Sequence, residues 1–377
     1  MGKETQEAFV VNNGVRIFYV KKGEGKQTLL FIHGFPLDHT IFDCQIEAFS
    51  KCYTVVAIDR RGHGRSTKGG QLDYGLNAQV SDIAAVIRQL KLQCVTLVGH
   101  SVGSVYALAT AANHPTLVKQ VVTIGGFPAV FNSPNFPIGL PPDAFNPLVQ
   151  LLQTNFPAFI ETFVNLALSD LCVCPPKCNG NGNGNGNGNG NGNGNSNHGK
   201  DKDKDKCKCK DKCDCKNKDK CKCKDKCDCK NKDKCKCKDK CDCKGGCEDA
   251  TRDLAKLRAE STRHFIEVSD QASTLASFAA SGPLNIVSLL SRIQVPVLIT
   301  YGTRDQVIPP AFSLFLRQNL PHSFLLEFVN KGHLPMETDF CRFNRELKDF
   351  VSQSMFQCDI CLSKKSKCKK GDKCNCD

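Results

Sequence analysis

Short runs of β-branched and aliphatic residues alternate with helical periodicity from Gln27 to Gly126. TLLFI, TVVAI, CVTLV and VVTI are continuous apolar runs of strand length, as expected of strands covered on both faces. Between them, apolar positions three and four apart predict helices over Asn77 to Leu90 and Val102 to Ala112. The alternation returns from Val295 to Val351, with VPVLIT and FLLEFV as strands and Pro310 to Gln318 and Asp339 to Val351 as helices. Strands alternating with helices imply an α/β fold, a mostly parallel sheet with helices on both faces, and the shared style of the two blocks implies one sheet.

The stretch between the blocks is different. It is Pro-rich at first and then amphipathic over Asp143 to Leu171 and again over Asp249 to Ala280, the pattern of a helical lid. Inside it, residues 172–247 contain almost no large hydrophobe, so they cannot bury a core and are expected to form a disordered insertion. The Asn-Gly run from Asn179 to Asn195 has no flanking strands for its turns to join. As a flexible chain it reaches roughly 23 Å. Closing the whole insertion costs only about 2 kcal/mol more than closing a loop of roughly 8 residues, because closure entropy grows logarithmically. The chain therefore divides into a first core part (1–127), a lid (128–292) that includes the insertion, a second core part (293–357) and a Cys/Lys-rich tail (358–377).

Charge changes the picture less than its total suggests. The formal net charge is +13, but residues 200–247 carry +9 of it and residues 358–377 another +3, leaving about +1 for the rest. The globular part thus has no basic face for nucleic acid. MGKETQEAFV lacks an apolar signal region, Gln6 makes Gly2 a poor myristoylation site, and no run reaches the roughly 18 apolar residues of a membrane helix. These features lead us to expect a cytoplasmic protein whose 25 cysteines stay reduced and point to metal or to nothing, rather than to disulfides. Cys44, Cys52, Cys94 and Cys341, within or beside the core pattern, read as buried small hydrophobes.

The chemistry begins at Gly99-His100-Ser101-Val102-Gly103, a G-x-S-x-G placed between a strand and a helix. Glycines there permit the sharp turn that lifts a serine hydroxyl clear of the sheet. A serine needs a base to take its proton and an acid to orient that base. Asp305 follows VLITYGTR and His333 follows FLLEFV, so serine, acid and histidine each fall at the end of a strand, in the order Ser, Asp, His. His100 and His63 compete for the role of base and Asp339 for that of acid; the bland readings are an elbow-packing histidine, a loop-bracing histidine and a helix-opening aspartate. The backbone N–H groups of Val102 and of Phe35, in the HGFP turn, are the candidate oxyanion donors.

With FIHGFPLD, DRRGHGRS and the elbow in view, residues 28–128 and 293–352 resemble the α/β-hydrolase superfamily, and most of all its cofactor-free haloperoxidase and serine esterase branch. The elbow reads GHSVGS, with Ser104 where a glycine is usual, and the chain has no Trp. The resemblance implies an α/β-hydrolase fold and a serine enzyme that cleaves small or medium carboxylic esters, lactones or thioesters, with no cofactor for catalysis and perhydrolysis as a side activity. An Asp-nucleophile epoxide hydrolase or dehalogenase is set aside because the elbow carries Ser101.

The insertion repeats CKCKDKCDCKNKDK from Cys207. Its three copies place C-x-C pairs at Cys207, Cys209, Cys213 and Cys215, at Cys221, Cys223, Cys227 and Cys229, and at Cys235, Cys237, Cys241 and Cys243. Four thiolates per copy suit tetrahedral Zn(II), soft Cu(I) or Cd(II), and the Lys spacers offset their charge. The pattern resembles metallothionein. Two other readings follow from it and from the fold: a metal buffer or sensor carried on a hydrolase scaffold, and a hydrolase-like small-molecule receptor.

Overall fold

In the computed structural model, residues 4–170 and 254–353 are described, all within one compact unit. The cysteine repeat from Cys207 to Cys243, the rest of the 172–247 insertion and the tail cysteines from Cys358 to Cys376 lie outside the described residues.

Eight strands form one sheet in the order β1-β2-β4-β3-β5-β6-β7-β8. These are β1 (Gln6–Asn12), β2 (Val15–Lys22), β3 (Thr28–Ile32), β4 (Thr54–Ile58), β5 (Val95–His100), β6 (Gln120–Ile124), β7 (Val297–Gly302) and β8 (Ser323–Phe328). The six from β3 to β8 are parallel, and each of β3 to β7 is buried along its whole length. Val121 pairs with Val297 across β6 and β7, so the two alternating blocks do join in a single sheet. Helices α1 (Asp43–Phe49), α2 (Leu76–Gln89), α3 (Val102–Asn113), α8 (Pro310–Asn319) and α10 (Phe340–Gln353) accompany it, with α1 on β4, α3 on β5 and β6, and α8 on β7.

The sheet has a part that the hydrophobic pattern alone does not announce. β1 and β2 form an antiparallel hairpin, closed by Asn13 and Gly14 with φ of 48° and 78°, a tight turn in which both residues are left-handed. β1 buries only Val10, so its apolar alternation is faint; the signal was the Asn-Gly pair between the β-branched runs FVV and VRIFYV.

The lid helices are shorter than expected. The stretch from Asp143 to Leu171 breaks into α4 (Asn146–Thr154) and α5 (Phe156–Ala167) at Asn155, whose side chain caps α5 by accepting from Ala158 N at 3.2 Å. Pro157, in the first turn of α5, cannot continue α4 because it lacks an N–H. Likewise the stretch from Asp249 breaks into α6 (Leu254–Val268) and α7 (Gln271–Ser281), where Asp270 caps α7 by accepting from Ser273 N at 2.7 Å. No described helix is long and apolar enough to cross a membrane.

The core cysteines also differ from expectation. Cys44 and Cys341 are half-buried and outside any disulfide, while Cys52, exposed, and Cys94, half-buried, are disulfide-bonded. The last two occupy turns before β4 and β5 rather than inward-facing strand positions, and they are not reduced thiols.

Candidate active site

The elbow is built by collision avoidance. A Cβ on Gly99 would lie 2.6 Å from Ser104 Cα in α3, and one on Gly103 would lie 2.3 Å from the Ile32 carbonyl of β3. Only glycine at both places lets α3 leave β5 so abruptly, and Ser101 between them takes φ 53°, ψ −125°. Ser104, the departure from the usual glycine, has a use here. Its hydroxyl donates to the Gly99 carbonyl at 2.6 Å and accepts from Ile124 N at 3.3 Å, tying the elbow to β6.

Asp305, just past β7, and His333, just past β8, are brought together. His333 Nδ1 donates to Asp305 Oδ2 at 2.6 Å, with both side chains almost fully buried. The other carboxylate oxygen, Oδ1, accepts from Val307 N at 2.9 Å and Ile308 N at 2.8 Å, so the carboxylate cannot turn away. His333 Nε2 is buried and accepts no hydrogen bond, which leaves it free of competing donors. In hydrolytic sites the bond from nucleophile to base commonly tightens only once substrate is bound. Gly125, φ 55°, follows β6 against the pair; a Cβ there would stand 2.8 Å from the His333 ring.

The rival residues take other positions. His100 Nε2 donates to the His333 carbonyl at 3.0 Å, with the two rings 4.6 Å apart, so His100 holds the backbone of His333. His63 Nδ1 donates to the Arg61 carbonyl at 2.9 Å, and its ring stands edge-on to Phe35. Burial, followed by the nearby positive or imidazole charge, holds both rings well below the ordinary histidine value, so they are neutral. Asp339 precedes α10, where its carbonyl accepts from Phe343 N at 2.9 Å. Phe35, Ser101 and Val102 line one cavity of about 100 Å³. Val102 is the first residue of α3, whose N–H is one that a helix leaves without an internal partner.

The family model described as the alpha/beta hydrolase fold matches residues 27–171. The chain has the α/β-hydrolase fold. It is 35% identical over 147 residues to a non-heme haloperoxidase of Rhodococcus erythropolis, covering 38% of this chain and 53% of that protein. It is 36% identical over 151 residues to a bifunctional esterase/perhydrolase of Acinetobacter calcoaceticus, with 38% and 53% covered. The chain thus spans about half the length of these curated relatives. An esterase structure from Exiguobacterium antarcticum superposes with a TM-score of 0.67 at 20% identity, covering 92% of this chain and 100% of that one.

The α/β-hydrolase fold explains the convergence, since loops beyond the carboxyl ends of parallel strands form the crevice of such sheets. Over it lie Phe145 and Leu148 from α4 and the residue before it, Phe163 and Leu166 from α5, and Phe278 from α7. Among the described lining residues none is charged, and the polar ones besides Ser101 are Ser281 and Gln306. The lid is tied to the His333 loop as well: His333 N donates to the Ala167 carbonyl at 2.8 Å and Gly332 N to Asp170 Oδ1 at 2.6 Å.

A polar network just past the HGFP turn escaped the sequence reading, because its members are close only in space. His264 of α6 donates from Nε2 to Asp38 Oδ2 at 2.8 Å, and His39 Nδ1 to Asp59 Oδ1 at 2.7 Å. Asp38, His39 and Asp59 bring ligand-type atoms within 4.8 Å of one another, but each is already hydrogen-bonded within the network. The bond to Asp38, followed by burial acting the other way and then the Asp38 charge, raises His264 above its ordinary 6.5. Burial pushes Asp38 up, but the bonds from His264 and Thr40 outweigh it and hold the carboxyl below 3.8. The raised histidine stabilises at low pH and loses its contribution as pH rises through its folded value; the depressed aspartate loses its contribution as pH falls. Protection factors in α6, corrected for the intrinsic acceleration of exchange with pH, are therefore expected to be highest between those titrations and to fall as pH rises above the ordinary histidine value of 6.5; in H264Q that fall is expected to be absent.

Proposed function

We propose that this chain is a serine hydrolase acting on uncharged carboxylic esters of small or medium acyl groups, with lactones and thioesters as related substrates. The reading is carried by the fixed His333–Asp305 pair together with Ser101, which a strained elbow holds at the wall of an apolar cavity. The names of the matched relatives, an esterase/perhydrolase and a haloperoxidase, support the same class.

In this reading Ser101 Oγ attacks the acyl carbon while its proton passes to His333 Nε2. The imidazolium is stabilised through Nδ1–H by Asp305, which keeps its charge. The oxyanion rests on the N–H groups of Phe35 and Val102. His333 then gives its proton to the departing alkoxide, and a water deprotonated by the same nitrogen cleaves the acyl-enzyme to acid and free Ser101. Each step uses side chains and backbone of this chain. We assign the cysteines from Cys207 to Cys243 a separate role as thiolate ligands for Zn(II), Cu(I) or Cd(II).

An anionic acyl group entering the cavity would leave water for a wall with no countercharge. The kcat/KM for p-nitrophenyl butyrate is expected to exceed that for mono-p-nitrophenyl succinate by about 100-fold or more. The order is expected to persist after deletion of residues 172–247. Equal rates on the two esters would contradict the assigned substrate class.

A further inference from the structure

The loop that carries the Phe35 donor rests on a buried cation. Arg60, just past β4, is 1% exposed. Its Nε donates to the His33 carbonyl at 2.9 Å and its Nη2 to the Gly34 carbonyl at 3.2 Å, with His63 Nε2 a further 3.4 Å partner. Nη1 is buried without a hydrogen-bond partner, and the guanidinium carbon lies 5.3 Å from the centroid of the Tyr106 ring. The next residue behaves as a buried arginine usually does: Arg61 forms a bidentate pair with Asp82, at 2.6 and 2.8 Å. Among the described residues no carboxylate pairs with Arg60, and a buried cation held by carbonyls, a neutral imidazole and a ring, with no countercharge, is a costly choice for structure alone.

Its backbone completes the arrangement. Arg60 N donates to His33 Nε2 at 2.9 Å. A backbone N–H can only donate, so Nε2 accepts, and the neutral ring carries its proton on Nδ1, 2.6 Å from the Gly34 carbonyl. Burial first, and then the Arg60 charge, hold His33 well below its ordinary value and keep it neutral. The Gly34 carbonyl therefore receives His33 Nδ1–H, Arg60 Nη2–H and, at 3.3 Å, Leu37 N–H. In a trans peptide unit the C=O and N–H point in opposite directions. Fixing this carbonyl toward Arg60 and His33 turns the N–H of Phe35, the other half of the same unit, away from them. The elbow is close by: a Cβ on Gly34 would be 2.7 Å from Ser101 Cβ.

We infer that Arg60 is a positioning residue for ester hydrolysis, which with His33 clamps the Gly34 carbonyl and so aims the Phe35 N–H at the acyl oxygen of the transition state. The inference rests on the serine-hydrolase reading above. A clamp of this kind acts on the oxyanion and leaves ground-state binding alone.

The test compares the full-length protein with R60M, R60K and S101A on p-nitrophenyl butyrate. Inhibition is measured with n-butylboronic acid, which adds to Ser101 Oγ as a tetrahedral mimic, and with butan-1-ol, which occupies the apolar cavity without reacting. R60M is expected to lower kcat by about 10- to 100-fold and to raise the boronate Ki by the same factor, with KM and the butan-1-ol Ki within about 2-fold of wild type. R60K, which restores the charge and a donor, is expected to recover part of both losses. Wild-type kcat and boronate affinity in R60M would overturn the inference, as would a parallel drift of kcat, KM and both Ki values, the mark of general loosening. Should R60M fail to fold, R60K decides: a kcat loss of about 3- to 10-fold at constant KM supports the clamp, and wild-type kcat overturns it. Wild-type turnover in S101A removes the serine reading and the clamp together, whereas loss in S101A with wild-type rates in the Arg60 variants removes the clamp alone.

Discussion

Ser101→Ala is expected to abolish ester turnover, with kcat on p-nitrophenyl butyrate falling by about 10⁴- to 10⁶-fold while the protein keeps its fold. Removing one oxygen deletes the atom that attacks, and no neighbouring group can take its place: His333 Nε2 is buried and His100 is occupied with the His333 carbonyl. The variant is expected to fold because the costly feature of the elbow is its backbone. φ of 53° is as unfavourable for alanine as for serine, and the two glycines that admit it are untouched. Circular dichroism and a thermal midpoint close to wild type, measured beside steady-state kinetics, separate loss of chemistry from loss of structure. Retained turnover in a folded variant would remove Ser101 from the mechanism.

Asp305→Asn is expected to lower kcat by about 10³- to 10⁴-fold at nearly constant KM. The amide oxygen can still accept from Val307 N and Ile308 N, so those two bonds orient the new side chain as they orient the carboxylate. Its NH₂ group then faces His333 Nδ1, where the carboxylate oxygen accepted at 2.6 Å. An amide N–H donates, so Nδ1 must become the acceptor and the ring's proton moves to Nε2, the nitrogen that has to take the proton from Ser101. The loss is therefore one of tautomer rather than of shape. Steady-state kinetics of the folded variant check it, and a kcat within a few-fold of wild type would point to another acid.

The parts of this architecture that were legible in the sequence are those governed by local pattern. Continuous apolar runs give β3 to β7 because those strands are covered on both faces, and the G-x-S-x-G glycines announce a turn that only they can make. The order of Ser101, Asp305 and His333 after β5, β7 and β8 could be read because a parallel sheet gathers the carboxyl ends of its strands. Legibility ends where local signals are weak or where partners meet only in three dimensions. β1 is an edge strand that buries only Val10, so it carries little apolar contrast. The breaks at Asn155 and Asp270 are capping events inside long amphipathic patterns. Arg60 reads as one of two adjacent arginines; only folding sends Arg61 to Asp82 and Arg60 beneath the Gly34 carbonyl. His264 and Asp38 are 226 positions apart.

The most direct measurement is to react the full-length protein with a fluorophosphonate, digest it, and map the adduct by tandem mass spectrometry. A single stoichiometric phosphonyl group on Ser101, absent from Ser101→Ala and suppressed by excess p-nitrophenyl butyrate, is the expected result. An adduct on any other residue, or labelling that survives in Ser101→Ala, would contradict the assignment of Ser101 as the nucleophile.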